Sequence, residues 1–134
     1  MMPKVNSSET CLSDLREGKK VFLVNAVPVQ MTEVAPEGKS VKVALVEVNS
    51  FEILANTGRP MLNMPVLVLR GANEDEVIYT GDYNVPRNEY NLNRLFVTAQ
   101  AAWRYARRMK AADFDEREKA ILDNWAARQE IFFH

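Results

Sequence analysis

A group of arginines with one neighbouring tyrosine is the part of the sequence best suited to bind another molecule. Its members are Arg94, Arg104, Tyr105, Arg107 and Arg108. If this segment is helical, the spacing of three and four residues from Arg104 to Arg107 and Arg108 places their guanidinium groups on one patch. A guanidinium group stays charged, forms paired hydrogen bonds with carboxylates and phosphates, and is enriched in protein interfaces. This group is therefore the predicted partner-binding site.

Three interpretations of this patch are open from sequence: docking on an acidic protein surface, binding to nucleic acid, and a solvated helix face. The net charge of the chain is −1, so any attraction to nucleic acid must come from a local patch. Residues 88–110 carry five basic and one acidic side chain, whereas residues 113–134 carry three basic and six acidic ones. The second segment is thus able to neutralise the first within the chain.

The residue types that most enzymes and metal sites depend on are sparse. His134 is the only histidine and the last residue of the sequence, where a side chain is seldom held rigidly enough for catalysis. Cys11 is the only cysteine, which excludes an intrachain disulfide, and we expect it to be buried as a small apolar residue. We read the acidic cluster of residues 74–76 and Asp82 as a solvated hairpin tip. We predict no catalytic residue, no cofactor and no metal.

The composition is that of one globular domain spanning residues 1–134. Hydrophobic residues make up 47% of the chain and charged residues 26%, which is ordinary for a folded protein and too apolar for a disordered one. No apolar run exceeds four residues, far short of the ~20 that a membrane helix needs. With no membrane segment and a single cysteine, the predicted location is the cytoplasm.

The elements that must position the patch begin with an antiparallel sheet over residues 19–83, preceded by residues 1–18 as a short helix or a disordered segment. Apolar positions change from even to odd near Pro28, which predicts a β-bulge there. About five strongly bent strands are expected, with half-closure into a barrel as the alternative. The predicted strands are 21–34, 39–48, 51–55, 61–69 and 77–80, with turns at 35–38, 56–60 and 71–76.

Two helices are predicted over residues 88–134, the first packed on the sheet. From Leu92 to Met109 the apolar positions, Trp103 included, fall on one arc at ~100° per residue, with the arginines opposite. Asp113 and Glu116 have the spacing of a capping box that would begin the second helix. The apolar residues 131–133 are expected either to pack on the sheet or to form a homodimer interface.

The predicted fold class is therefore α+β, and the leading functional hypothesis is a non-enzymatic protein-binding module. It would serve as a small regulator, inhibitor or adaptor that docks through the arginine patch or an exposed sheet edge. The alternative is a single-stranded nucleic-acid-binding protein that uses the arginine-rich helix beside a small barrel. The second alternative is a histidine-free enzyme acting on a small anionic ligand with Glu47, Glu52 or Asp82.

Overall fold

The computed structural model of the chain describes residues 10–30, 41–59, 64–85 and 90–133, and it has the predicted α+β architecture. Five antiparallel strands form one sheet, and two helices follow it. The strands are β1 (Lys20–Gln30), β2 (Val41–Arg59), β3 (Met64–Leu69), β4 (Glu76–Tyr79) and β5 (Arg94–Phe96). The helices are α1 (Ala99–Lys110) and α2 (Glu116–Phe133), with short 3-10 helices at Leu12–Asp14 and Thr80–Tyr83.

The sheet is organised around β2, a strand of 19 residues that changes partner along its length. The strand order is β4-β3-β2-β1-β5, so β4 and β5 are the two end strands and the sheet is open over its described length. β2 pairs with β1 up to Glu52 and with β3 from Ile53 onward. The register shifts at the Val27/Pro28 step, which confirms the predicted bulge, and shifts again where β2 changes partner. Bulges of this kind bend a strand.

Two predicted strand boundaries are wrong. The described residues 41–48 of the first predicted strand and the predicted strand 51–55 belong to one continuous strand, and residues 56–59 continue that strand where a turn was expected. Asn56 and Gly58 lie opposite Leu67 and Pro65 of β3, so cross-strand pairing overrides their local preference for turns. The predicted turn at 35–38 lies outside the described residues.

The sheet buries both of its faces, since successive side chains of a strand point to opposite sides. Val24 of β1 belongs to a core shared with the helices, whereas Val21 and Leu23 belong to a separate core. The helix-side core consists of Val24, Ala26, Leu92, Phe96, Ala102, Tyr105, Ala106, Met109, Ile121 and Leu122. The other core consists of Leu15, Val21, Leu23, Ile53, Leu67, Leu69, Val85 and Leu95. The contacts of α1 with β1 and β2 confirm that the first helix packs on the sheet.

The first helix begins later than predicted, which changes the face it buries. Residues 94–96 form β5, with Phe96 paired to Phe22 of β1, and the helix starts after Thr98, whose hydroxyl accepts a hydrogen bond from the backbone N of Ala101 at 3.2 Å. The predicted apolar arc combined strand residues with helix residues and was therefore rotated. Trp103, placed in the core by that arc, is 47% exposed.

The segment before β1 is packed against the sheet. Leu15 is buried, and the Thr10 hydroxyl donates to the backbone O of Leu95 at 2.7 Å. Gly18 ends the segment with a φ of 84°, a left-handed conformation that favours glycine. Cys11 is exposed, so the expectation that it is buried is wrong.

Candidate functional site

A cleft of about 390 Å³ lies where β5, α1 and the connection between the two helices meet, and we call it the arginine cleft. β5 contributes Arg94 to it, and α1 contributes Arg104 and Arg108. Among the residues that the structure describes, the lining consists of Arg94, Phe96, Ala101, Arg104, Tyr105, Arg108, Asp113, Phe114 and Asp115. The fold thus brings all but one of the predicted binding residues to one place. The exception is Arg107, which is exposed elsewhere on α1.

Tyr105 lies beneath the arginines instead of beside them. Its ring is buried and packs against Phe96 with 5.5 Å between ring centroids, and its hydroxyl donates to the backbone O of Leu92 at 2.6 Å. Burial, and secondarily the nearby carboxylate of Glu118, raises the pKa of the Tyr105 phenol well above its ordinary value. Tyr105 is therefore a neutral part of the core and cannot stack on a base or on a partner's side chain.

Arg94 is held by aromatic rings. Its guanidinium carbon lies 4.9 Å from the Tyr105 ring centroid and 5.0 Å from that of Phe96, which are cation–π distances. Within the described part of the chain, its guanidinium forms neither a hydrogen bond nor an ion pair. The rings fix the side chain without cancelling its charge, so Arg94 remains available to an anion in the cleft.

Arg108 has a different role, because its guanidinium is already paired. Its Nη1 and Nη2 atoms donate to Oε1 and Oε2 of Glu118 at 2.8 and 2.7 Å, and Nη1 also donates to the backbone O of Asp113 at 2.9 Å. The Glu118 side chain is only 7% exposed, and its hydrogen bonds with Arg108 raise the pKa of the guanidinium. Arg108 therefore ties α1 to α2 and is not free to bind a partner.

The capping box of α2 lies two residues later than predicted. Asp115 N donates to Oε1 of Glu118, and Glu118 N donates to Oδ1 of Asp115, each at 2.8 Å. The shift arises because Ala112 and Asp113 are used to close α1: Asp113 N donates to the backbone O of Arg108 at 2.9 Å, and Ala112 adopts a φ of 56°. Glu118 thus caps α2 and neutralises Arg108.

The solvent-facing side of α1 carries the remaining predicted arginines. Arg104 and Arg107 are exposed, and neither forms a hydrogen bond or ion pair with the residues that the structure describes. Trp103 lies beside them at 47% exposure and was missing from the predicted site. The helix start at Thr98 is the signal that would have identified it, because that start moves Trp103 off the buried arc. We call these three exposed residues the outer face of α1.

The other candidate sites from the sequence have fewer features of a binding or catalytic site. Glu52, named as a possible catalytic carboxylate, pairs with Arg70 at 3.1 Å on the surface. Across the described ranges, no three His, Cys, Asp or Glu side chains converge in a way that would hold a metal ion. Among the same residues, neither helix has the length and apolar character required to span a membrane.

A protein-family model matches most of the chain. The family model described as Phage g100-like protein matches residues 9–109. This range includes all five strands of the sheet and nearly all of α1. It ends before Glu118, the partner of Arg108. No curated protein and no solved structure matches the chain.

Proposed function

This chain belongs to the Phage g100-like protein family, and we propose that it is a non-enzymatic protein-binding module, a small regulator, inhibitor or adaptor. It docks on a partner protein through the outer face of α1. The observation that carries this proposal is the joint exposure of Trp103, Arg104 and Arg107 on one side of the helix. Tryptophan and arginine are the residue types most enriched among interface positions that dominate binding energy.

The partner surface that fits this face is acidic. Arg104 and Arg107 are one helical turn apart, and no carboxylate of the described chain neutralises either guanidinium. Because the whole chain has a net charge of only −1, the two arginines form a local positive feature on a nearly neutral protein. Such a patch increases the rate of encounter with a negative surface and orients the complex. The exposed ring of Trp103 adds apolar contact area beside the charges.

The cytoplasm is the compartment we propose for this interaction. The single cysteine, Cys11, is free and exposed, which suits a reducing environment better than an oxidising one.

A homodimer through the edge of the sheet is a second mode of association within this proposal. β4 is an end strand, and its Val77 and Tyr79 side chains are 61% and 45% exposed. End strands present unpaired backbone groups that a strand from a second copy can pair with. Sedimentation equilibrium of the wild type and of Val77→Lys tests it: a dimer that the substitution dissociates supports this mode, and a monomer at all concentrations contradicts it.

The docking proposal is tested by affinity capture from a lysate of the source cells, followed by identification by mass spectrometry. The wild type is compared with Arg104→Glu/Arg107→Glu, and the matched control is Lys19→Glu/Lys20→Glu, which changes the net charge equally at another exposed site. The identified partner is then purified and its affinity measured by calorimetry. Charge reversal at Arg104 and Arg107 should weaken binding by about 30-fold or more, which corresponds to the ~2 kcal/mol of an interface hot spot.

Two results would contradict the docking proposal. One is a purified partner that binds the arginine-reversal variant as tightly as the wild type. The other is capture that disappears on nuclease treatment, together with retention of a single-stranded oligonucleotide on filters that falls steeply with salt, which is the behaviour of phosphate contacts. That second result would favour the nucleic-acid alternative, although the burial of Tyr105 leaves Trp103 as the exposed ring of α1 able to stack on a base.

A further inference from the structure

We infer that the arginine cleft is a second binding site, separate from the outer face of α1, and that its ligand is a small monocarboxylate with an apolar body. The two sites share only Arg104, since Trp103 and Arg107 do not line the cleft. The inference goes beyond the docking proposal, and either one can fail without the other.

The anion-binding group of the cleft is Arg94. Its guanidinium packs over the two core rings at centroid distances of 4.9 and 5.0 Å, which favours one placement of the side chain before a ligand binds. It forms no ion pair with the described part of the chain, which leaves its planar donors available. Guanidinium groups bind carboxylates through two parallel hydrogen bonds. Arg104 adds a second positive charge to the same lining.

The charges around the cleft favour a single negative charge on the ligand over two. Arg108 is neutralised by Glu118 at 2.7 Å and contributes little net charge. Against Arg94 and Arg104, the connection between the helices places Asp113 and Asp115 in the same lining. A phosphate monoester, which is mostly a dianion at neutral pH, would bring a second negative charge to a lining in which two carboxylates already match the two arginines that the described residues leave unpaired. A carboxylate can pair with Arg94 at a much smaller repulsive cost.

Polar atoms make up most of the cleft lining, and one apolar side suits a small hydrocarbon group on the ligand. Ala101 and Phe114, both half-buried, contribute this hydrocarbon surface, whereas the Phe96 ring is buried beneath Arg94. Its volume of about 390 Å³ lies at the lower end of the range of small-molecule sites, roughly 300–1,000 Å³. A ligand with one ring or a short branched chain fits within this space with its carboxylate at Arg94.

The test is a titration of the full chain with three probes of nearly equal size, followed by amide chemical shifts. Phenylacetate carries one negative charge, phenylacetamide is its neutral counterpart, and phenyl phosphate carries nearly two charges. Phenylacetate should bind with a Kd on the order of 1 mM, a value typical of a ligand this small in a partly open cleft. It should shift the amide signals of Ala101, Arg104 and Phe114. The other two probes should bind at least about tenfold more weakly.

Variants assign the ligand to the cleft. Arg94→Gln should weaken phenylacetate binding by about tenfold or more, and Arg104→Gln by about threefold. Arg107→Gln, which removes the same group from the same helix outside the cleft, should leave the Kd unchanged. Because Arg94 packs on core rings, its variant is first checked for cooperative unfolding, and the exposed Arg104→Gln remains informative if Arg94→Gln does not fold.

Several results would overturn the assignment. One is the absence of phenylacetate binding at about 20 mM ligand. Others are phenylacetamide binding as tightly as phenylacetate, or phenyl phosphate binding more tightly than it. The last is a loss of phenylacetate affinity in Arg107→Gln equal to the loss in Arg94→Gln. The docking proposal is tested by a different variant, because Arg107→Glu should weaken docking on the partner protein and leave phenylacetate binding unchanged. Arg94→Gln should affect the cleft and not docking.

Discussion

Replacing Arg108 by methionine tests whether this arginine holds the fold instead of contacting a partner. Methionine keeps the unbranched apolar stem and removes the guanidinium. The Glu118 carboxylate then loses hydrogen bonds of 2.7 and 2.8 Å, and the backbone O of Asp113 loses one of 2.9 Å. The Glu118 side chain, at 7% exposure, has little access to water that would replace them.

The size of the effect follows from the burial of the pair. Removing one member of a fully buried ion pair costs ~3–5 kcal/mol of unfolding free energy. The Arg108 side chain is 31% exposed, so part of the interaction is screened by water, and about 2–3 kcal/mol is the better expectation. For a chain of 134 residues, this loss lowers Tm by roughly 10 °C.

The assay is thermal and urea unfolding followed by circular dichroism at pH 7. Arg107→Met is the matched control, because it makes the same chemical change on the same helix at an exposed position. It should alter the unfolding free energy by less than about 0.5 kcal/mol. If Arg108→Met is as stable as Arg107→Met, the pair with Glu118 does not hold the helices together, and the assignment of Arg108 to the fold is refuted.

Two further predictions concern the core and the end of α1. Tyr105→Phe removes the hydrogen bond to the backbone O of Leu92 and should cost about 1–2 kcal/mol. Because burial raises the pKa of Tyr105 in the folded state, the unfolded state releases this proton first, so wild-type stability should fall as the pH rises above about 10. Urea unfolding at pH 8–11 should show a smaller fall in Tyr105→Phe, and an equal fall would contradict this reasoning. Ala112→Gly should raise the unfolding free energy by ~0.5–1 kcal/mol, since glycine adopts a φ of 56° without strain; a decrease in Tm would show that the position is not strained.

The parts of the fold that were predictable are those that a local pattern can reveal. The change of apolar parity near Pro28 identified the bulge, because successive side chains alternate between the two faces of a strand and one extra residue reverses that alternation. The separation of the two helices was predictable because the apolar arc, continued past Met109, would have placed Asp113 and Glu116 in the core. The first helix therefore had to end near Met109.

The missed elements depend on partners distant in sequence. β5 is three residues long and exists because it pairs with β1, at least 70 positions earlier, so nothing local distinguishes it from the helix that follows. The continuation of β2 through Asn56 and Gly58 likewise depends on β3. Once these pairings were missed, the helix phase was wrong, and Trp103 and Tyr105 exchanged their expected exposures.

The candidate site, like the fold, was predictable only in part. The arginines themselves were evident from residue type and spacing, but their roles were not. Whether a guanidinium is free or paired depends on helix packing, which places Glu118 beside Arg108 and leaves Arg107 exposed. The spacing of Asp115 and Glu118 also fits a capping box and was the one local signal of the buried carboxylate.

The most direct test of docking through the outer face of α1 is a charge exchange with the purified partner. The affinity of Arg104→Glu/Arg107→Glu is measured against the wild-type partner and against a partner whose facing carboxylates are replaced by lysine. Docking on an acidic surface predicts weak binding in the first case and recovery of most of the affinity in the second. Equal affinity of the variant and the wild type for the unaltered partner would contradict it.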